Sequence, residues 1–454
     1  MSDPQSQATA LFAKSFGSLE GATTVFAPGR VNLIGEHTDY NGGHVMPLAL
    51  GFRTVIVGRR TAGAACTVAS ANVGGGAAVS FSGDASLAPE AQSSATRWTN
   101  YVKGVVAEYV ADCGGAVGFE AAVASDVPMG AGLSSSASLE VAVATLIEAL
   151  YALQLDADPQ QAKIKKALRC QACEHKFCYT NCGIMDQFIS AVGRQGHALL
   201  IDCRANAPTL VPLDNPDVVL LVANTLATHS LGGEDGESWY NKRVADCGAA
   251  VAAMHKRKGK GGGGGGGGGG SPADAAKLTL RDFSAEELEA VKADIEPRQH
   301  ARARHAIEEN DRCVAAQRAL TAGDYDTVGA LMNASHESLR DRYEVSCAEL
   351  DELQRLAVGV DGVYGSRMTG AGYGGCTVTM LKKSAVEQLK ATLAKEYYAK
   401  HGLTPTMFVT VADAGAGLLP TASSSSAPPS APLPAVVQFS LLVALACAAK
   451  HLGM

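Results

Sequence analysis

Basic residues are too few here for a chain that grips nucleic acid: 38 lysines and arginines stand against 45 acidic residues, leaving a net charge of −7 over 454 residues. With no excess of positive charge to neutralise a phosphate backbone, a nucleic-acid partner is not expected. Residues 1–10 lack both a basic start and an apolar stretch, which argues against a secretory signal and for a cytoplasmic protein. The 12 cysteines lack framework spacing and read as buried thiols used for packing rather than as disulfides. Their densest group, Cys170, Cys173, Cys178 and Cys182, opens with a CxxC pair. That pair sits in an Ala-rich helical run and the other two follow too closely for paired zinc ligands, so small core residues are the reading. No Gly-Lys-Ser/Thr phosphate motif is present.

Long apolar runs are also scarce. Residues 435–449, which follow a Ser/Pro/Ala-rich stretch at 421–434, would reach only ~22 Å as a helix against a ~30 Å hydrocarbon core. A membrane span is therefore marginal, and a tail anchor, a partner-binding helix and an unstructured extension all stay open, membrane association through this tail among them.

What is present is enough apolar material, 47% of residues, to bury two moderate cores, so two domains are expected. Strands are expected at 24–27, 45–50, 54–58, 66–70, 119–124, 197–201 and 218–223, and helices at 98–110, 137–153, 162–175, 240–254, 301–320 and 327–336. The first domain is placed at 1–220 and the second at 221–417. A flexible poly-Gly loop at 259–270 lies inside the second, and 418–454 forms a linker and apolar tail.

Three loops carry the chemistry. The first, APGRVNLIGEHTDYNGG at 27–43, gathers Arg30, Asn32, Glu36, His37, Asp39 and Tyr40 between glycines. Such donors and acceptors suit a polyhydroxylated ligand, although a polar surface loop would look similar. The second, PMGAGLSSSASLE at 128–140, feeds a long apolar helix. A Gly-rich turn at a helix N-terminus offers free amides and the positive end of the dipole, which bind phosphate without a lysine. More serines are present than an N-cap needs. The third, SRMTGAGYGGCTV at 366–378, is so dense in glycine that it demands unusual backbone angles or close approach to something.

In this order the three loops resemble the GHMP kinase superfamily, and GRVNLIGEHTDYNGG narrows the resemblance to its galactokinase family. WTNYVKGV at Trp98, EHKF at Glu174, CGIMDQFIS at Cys182, RARH at Arg302 and SHESLRDRYEVSC at Ser335 extend it over residues 12–413. The resemblance implies an α+β, two-domain GHMP kinase fold. Its N-terminal domain is ribosomal protein S5 domain 2-like, its C-terminal domain is ferredoxin-like, and the active site lies in the cleft between them. It also implies ATP-dependent phosphorylation of the anomeric hydroxyl of galactose, with Mg²⁺ as cofactor.

Residue by residue, the resemblance places Arg30, Glu36, His37, Asp39, Gly183, Asp186 and Tyr240 around the sugar. Asp186 matches the catalytic base, with Arg30 as its charged neighbour. Ser136 and Glu174 match Mg²⁺ ligands. Gly130, Gly132, Leu133, Ser134, Ser135 and Ser136 face the ATP phosphates, and Trp98 packs on adenine. An adjacent guanidinium weakens a carboxylate as a base, so orienting the hydroxyl and taking its proton late is an alternative duty for Asp186. Two departures concern the pocket: Cys178 and Tyr179 stand where the family has a small Ala-Gly pair, and Trp239 stands where an acidic residue is usual. Kinases for N-acetylgalactosamine or L-arabinose, and a catalytically silent galactose sensor, are the competing readings. The intact GLSSSAS loop argues against the sensor.

Overall fold

The computed structural model describes residues 3–227, 239–261 and 278–420. The expected loop from 262 to 270 and the tail from 421 onward lie outside the described residues.

The first helix, α1 (Pro4–Phe16), lies where the sequence reads only as polar. Asp3 caps it by accepting from the Ser6 amide at 3.1 Å, and Pro4 stands in the first turn, where its missing N–H costs nothing. Ala8 and Phe12, one turn apart, are buried against Val55, Val57, Ala122 and Ala124.

The chain then runs through β1 (Thr23–Asn32), β2 (His44–Val45), β3 (Pro47–Arg60), β4 (Ala65–Ser70), β5 (Ala78–Ser82), α2 (Asn100–Tyr109) and β6 (Phe119–Ser125). Next come α3 (Ser135–Tyr151), α4 (Pro159–Phe177), α5 (Met185–Val192), β7 (His197–Asp202) and β8 (Ala207–Pro212). The remainder comprises β9 (Val218–Asn224), α6 (Trp239–Gly261), α7 (Ala285–Glu289), α8 (Pro297–Thr321), α9 (Tyr325–Ser338) and α10 (Ala348–Val358). It ends with β10 (Val363–Thr369), β11 (Cys376–Lys382), α11 (Val386–Thr392), β12 (Thr406–Thr410) and β13 (Gly417–Leu419).

A six-stranded sheet, β13-β1-β3-β6-β4-β5, organises the first domain. Its side chains alternate by strand geometry: Val55 and Val57 face α1, while Ile56 between them joins Val105, Leu146 and Phe188 in a core that brings α2, α3 and α5 onto the other face. Cys170 and Cys173 are buried in that same core, on α4. The second domain is built on an antiparallel sheet, β10-β11-β9-β12.

Three expected boundaries are corrected. The division after residue 220 would cut β9, whose whole length pairs with β11 and whose residues 220–224 also pair with β12, so the second domain already includes residue 218. A tail starting at 418 would cut β13, which pairs with β1 in the first sheet. The expected start of the loop at 259 is also too early, because α6 continues to Gly261.

Candidate active site

The site begins with an irregularity in β1. Its register against β3 shifts between Pro28 and Arg30, and such a bulge re-aims the side chain that follows. Gly29 allows it: a Cβ there would lie 2.7 Å from the Leu133 carbonyl oxygen. That carbonyl accepts the Arg30 amide at 3.0 Å, tying the first loop to the second.

Arg30 then reaches α5. Its Nε and Nη2 donate to the two oxygens of Asp186 at 2.8 and 2.6 Å, and its Nη1 donates to the Gly132 carbonyl. Burial works against the guanidinium charge, but Asp186, Glu36 and Asp39 outweigh it and its pKa is raised. Asp186 stands in the first turn of α5, and Oδ2 also accepts from Ser134 Oγ at 2.5 Å. Ser134 has left-handed angles, φ 61°, and its hydroxyl makes no cap bond to α3. The serine that most resembles an N-cap is thus turned onto Asp186.

Arg30, Glu36, His37, Asp39, Gly183, Asp186 and Tyr240 border one cavity of about 310 Å³, together with Ser136 and Glu174. An adjoining slot of about 150 Å³ is lined by Trp98, Tyr101, Val73, Met129 and Leu139 and reaches Ser135 and Ser136 at the start of α3. Tyr101 and Ser136 border both spaces. Gly130 and Gly132 take φ of 71° and 72°, bending the loop ahead of α3, whereas the Leu133 side chain is buried in the core and leaves only its backbone to the loop.

The charges around the cavity are set by burial. Asp39 is pushed up to about 7 by desolvation and then by the nearby Asp186 carboxylate, although the amides of Tyr40 and Met185 donate to it. Burial likewise pushes Glu174 up to about 7, with the Ser136 hydroxyl pulling the other way. His37 falls to about 3 by burial and by neighbouring His305, so its ring is neutral. Its Nε2 lies 3.3 Å from the Ala371 carbonyl, which can only accept, so Nε2 carries the proton and Nδ1 accepts from the Tyr40 hydroxyl at 2.9 Å.

The third loop proves to be a backing for the second. A Cβ at Gly370 would meet the Gly132 carbonyl oxygen at 2.8 Å, and one at Gly375 would meet the Ala131 oxygen at the same distance. Both glycines have positive φ, 85° and 82°. The second domain also supports the first loop through residues that sequence reasoning left without a role. Glu309 Oε1 accepts the Gly35 amide at 3.0 Å and Ser335 Oγ at 2.5 Å. Arg367 donates to the Asn32 carbonyl at 3.1 Å and to Glu36 Oε1 at 3.3 Å, and the same oxygen accepts the Gly370 amide at 2.8 Å. Tyr101 could have been found as the residue one helical turn beyond Trp98. Glu309 and Arg367 carried no local signal.

Among known families, a galactokinase galactose-binding signature matches residues 10–60, the GHMP kinase N-terminal domain 100–194 and the GHMP kinase C-terminal domain 316–400. The galactokinase of Homo sapiens is 41% identical over 415 residues, covering 91% of this chain and 96% of that protein. The galactokinase of Roseiflexus sp. (strain RS-1) is 40% identical over 393 residues, covering 87% and 92%. Lactococcus lactis galactokinase complexed with galactose superposes with a TM-score of 0.79 at 31% identity, over 90% of this chain and 98% of that one. Methanococcus jannaschii mevalonate kinase, at 16% identity over 87% of this chain and 99% of its own, shares the fold with a TM-score of 0.54. With the sugar-loop signature, both kinase domains and full-length relatives in agreement, the chain belongs to the galactokinase family of GHMP kinases.

Proposed function

We propose that this sugar kinase divides the transfer of the ATP γ-phosphoryl group to the C1 hydroxyl of galactose among the residues of the paired cavity and slot. The observation that carries this reading is the Ser134–Asp186–Arg30 chain of hydrogen bonds, which joins the sugar cavity to the loop ahead of α3. The adenine packs on Trp98, and the phosphates lie along residues 130–136, where backbone amides and the N-terminal dipole of α3 favour negative charge. Glu36, His37, Asp39, Gly183 and Tyr240 hold the sugar hydroxyls.

In-line phosphoryl transfer asks the protein chiefly for positioning and charge neutralisation. Three donors already occupy the two Asp186 oxygens. That suits it to orient the C1 hydroxyl and take its proton late in the transfer. Arg30, held in place by that carboxylate, neutralises charge on the group in flight. The Ser136 hydroxyl and the buried Glu174 carboxylate are hard oxygen donors in mutual contact at the junction of cavity and slot, a set that fits Mg²⁺. When bound there, the ion supplies neutralisation of the phosphate charge.

ATP consumption by the purified protein tests the reading, with galactose, N-acetylgalactosamine, L-arabinose or no sugar. Turnover that requires galactose is expected. Turnover independent of sugar, or none with any sugar, overturns it.

No described helix is long and apolar enough to cross a membrane.

A further inference from the structure

Between the sugar cavity and an outer cleft the chain runs through Cys182 and Gly183, with Asp39 against them. Cys182 and Gly183 border the cavity on one side, and on the other they border an open polar cleft with Gln171 and His175. Asp39, which borders both spaces, is packed onto Gly183 so closely that a Cβ at Gly183 would lie 1.9 Å from Asp39 Oδ2. On the outer side two side chains converge on one atom. Gln171 Nε2 donates to the Cys182 carbonyl at 3.1 Å, and His175 Nε2 lies 2.9 Å from it. A carbonyl only accepts, so this histidine nitrogen is the one that carries the proton. Gln171 and His175 are four residues apart on α4, hence on one face of the helix that also carries Glu174.

The Cys182–Gly183 peptide is trans, so its C=O and N–H point in opposite directions. Pulling the carbonyl outward onto α4 turns the Gly183 N–H inward, to the cavity side. We infer that Gln171 and His175 are positioning residues, which touch neither substrate but fix the tilt of this peptide and so present the Gly183 amide, and the Asp39 carboxylate resting on Gly183, to the galactose hydroxyls. This inference rests on the assignment of the cavity to galactose. It gives α4 two duties, placing Glu174 beside Ser136 on one face and bracing the sugar wall on another.

Loss of both donors releases the carbonyl to water on the outer, exposed side, so folding is spared and the effect concentrates on sugar binding. The Gln171→Leu/His175→Leu double variant is expected to raise the galactose KM roughly five- to tenfold, the loss of about one net hydrogen bond, with the ATP KM and kcat within about twofold of the parent. Replacing the second leucine to give Gln171→Leu/His175→Gln restores a donor and is expected to recover most of the galactose KM. The melting temperature of each variant without ligand is expected to stay near the parent's. A galactose KM unchanged in the double variant overturns the inference, as does an equal rise in both KM values, or a failure of the glutamine to rescue. If the parent itself shows no galactose-dependent turnover, the assignment of the cavity has failed, and the inference that rests on it falls with it. Single Gln171→Leu and His175→Leu variants carry the same test if the double variant is unstable.

Discussion

At the scale of single residues, the site is governed by its carboxylates. Asp186→Asn preserves shape and still offers a carbonyl oxygen to Arg30, but it cannot take a proton from the sugar. Galactose binding, followed by calorimetry, is expected to persist while turnover falls by at least about 100-fold; near-normal turnover would remove Asp186 from the mechanism. Burial holds the Asp39 pKa near 7, well above the usual carboxylate range. A group whose folded pKa is raised contributes stability that is full at pH values below its unfolded pKa, near 4, and is lost as pH climbs toward 7. Asp39→Asn, which mimics the neutral acid, is therefore expected to melt higher than the parent without sugar. That advantage grows from about pH 5 to pH 7, levels off above and reaches about 1–3 kcal/mol. Parallel melting curves across that range would count against a neutral Asp39. Tyr179 offers a third case. Its φ is 57°, the left-handed region that glycine adopts freely. Its side chain is 57% exposed, so little burial offsets the strain. Tyr179→Gly is expected to raise thermal stability by about 0.5–1 kcal/mol, and a lower melting temperature would show that the ring has packing value.

At the scale of elements, the three loops turn out to be one stack, and this decides how much of the site could be read from the sequence. Glycines at 370 and 375 are legible as a demand for close approach, but what approaches, the backbone of residues 131–132, is a contact between segments over 200 residues apart and leaves no local pattern. The same holds for Arg367 and Glu309, which brace the first loop from the second domain. By contrast Arg30, Asp186 and Ser134 each lie in a motif whose residue types announce chemistry, and the cavity gathers Arg30 and Asp186 with the rest of the expected sugar set. The first helix was missed because its start is polar and its apolar residues, Ala8, Leu11, Phe12 and Phe16, come only in its later turns. Its apolar face is narrow because it covers only one sheet face. The stacking of loops carries its own prediction. Gly370→Ala adds a methyl at φ 85° within 2.8 Å of the Gly132 oxygen. It should push the phosphate-binding loop out of place at a cost of about 1–3 kcal/mol, raising the ATP KM more than the galactose KM. Equal effects on both, measured by steady-state kinetics, would mean that the two loops do not communicate.

At the scale of the whole molecule, the chain leaves the first domain at β9, builds the second, and returns to the first sheet at β13. The returning strand pairs Gly417, Leu418 and Leu419 with Phe26, Val25 and Thr24. Beyond it, the Pro420 carbonyl accepts from Gln5 Nε2 of α1 at 2.7 Å. Leu419, like Phe26, packs against the cluster under α1. These contacts close the edge of β1, the strand that a few residues later bulges to aim Arg30. An edge strand left open both loses ladder hydrogen bonds and invites pairing with another chain. Comparing a chain that ends at Pro420 with one that ends at Ala416 isolates β13 from everything that follows it. The shorter form is expected to melt several degrees lower, by roughly 2 kcal/mol for a lost three-residue pairing with its apolar contacts. Its galactose-dependent activity should also disappear at a correspondingly lower temperature, because Arg30 is positioned by the strand that frays. Identical melting and inactivation curves for the two forms would mean that β1 holds its geometry from β3 alone. In that case the return of the chain to the first sheet would be a matter of connection, without consequence for the site.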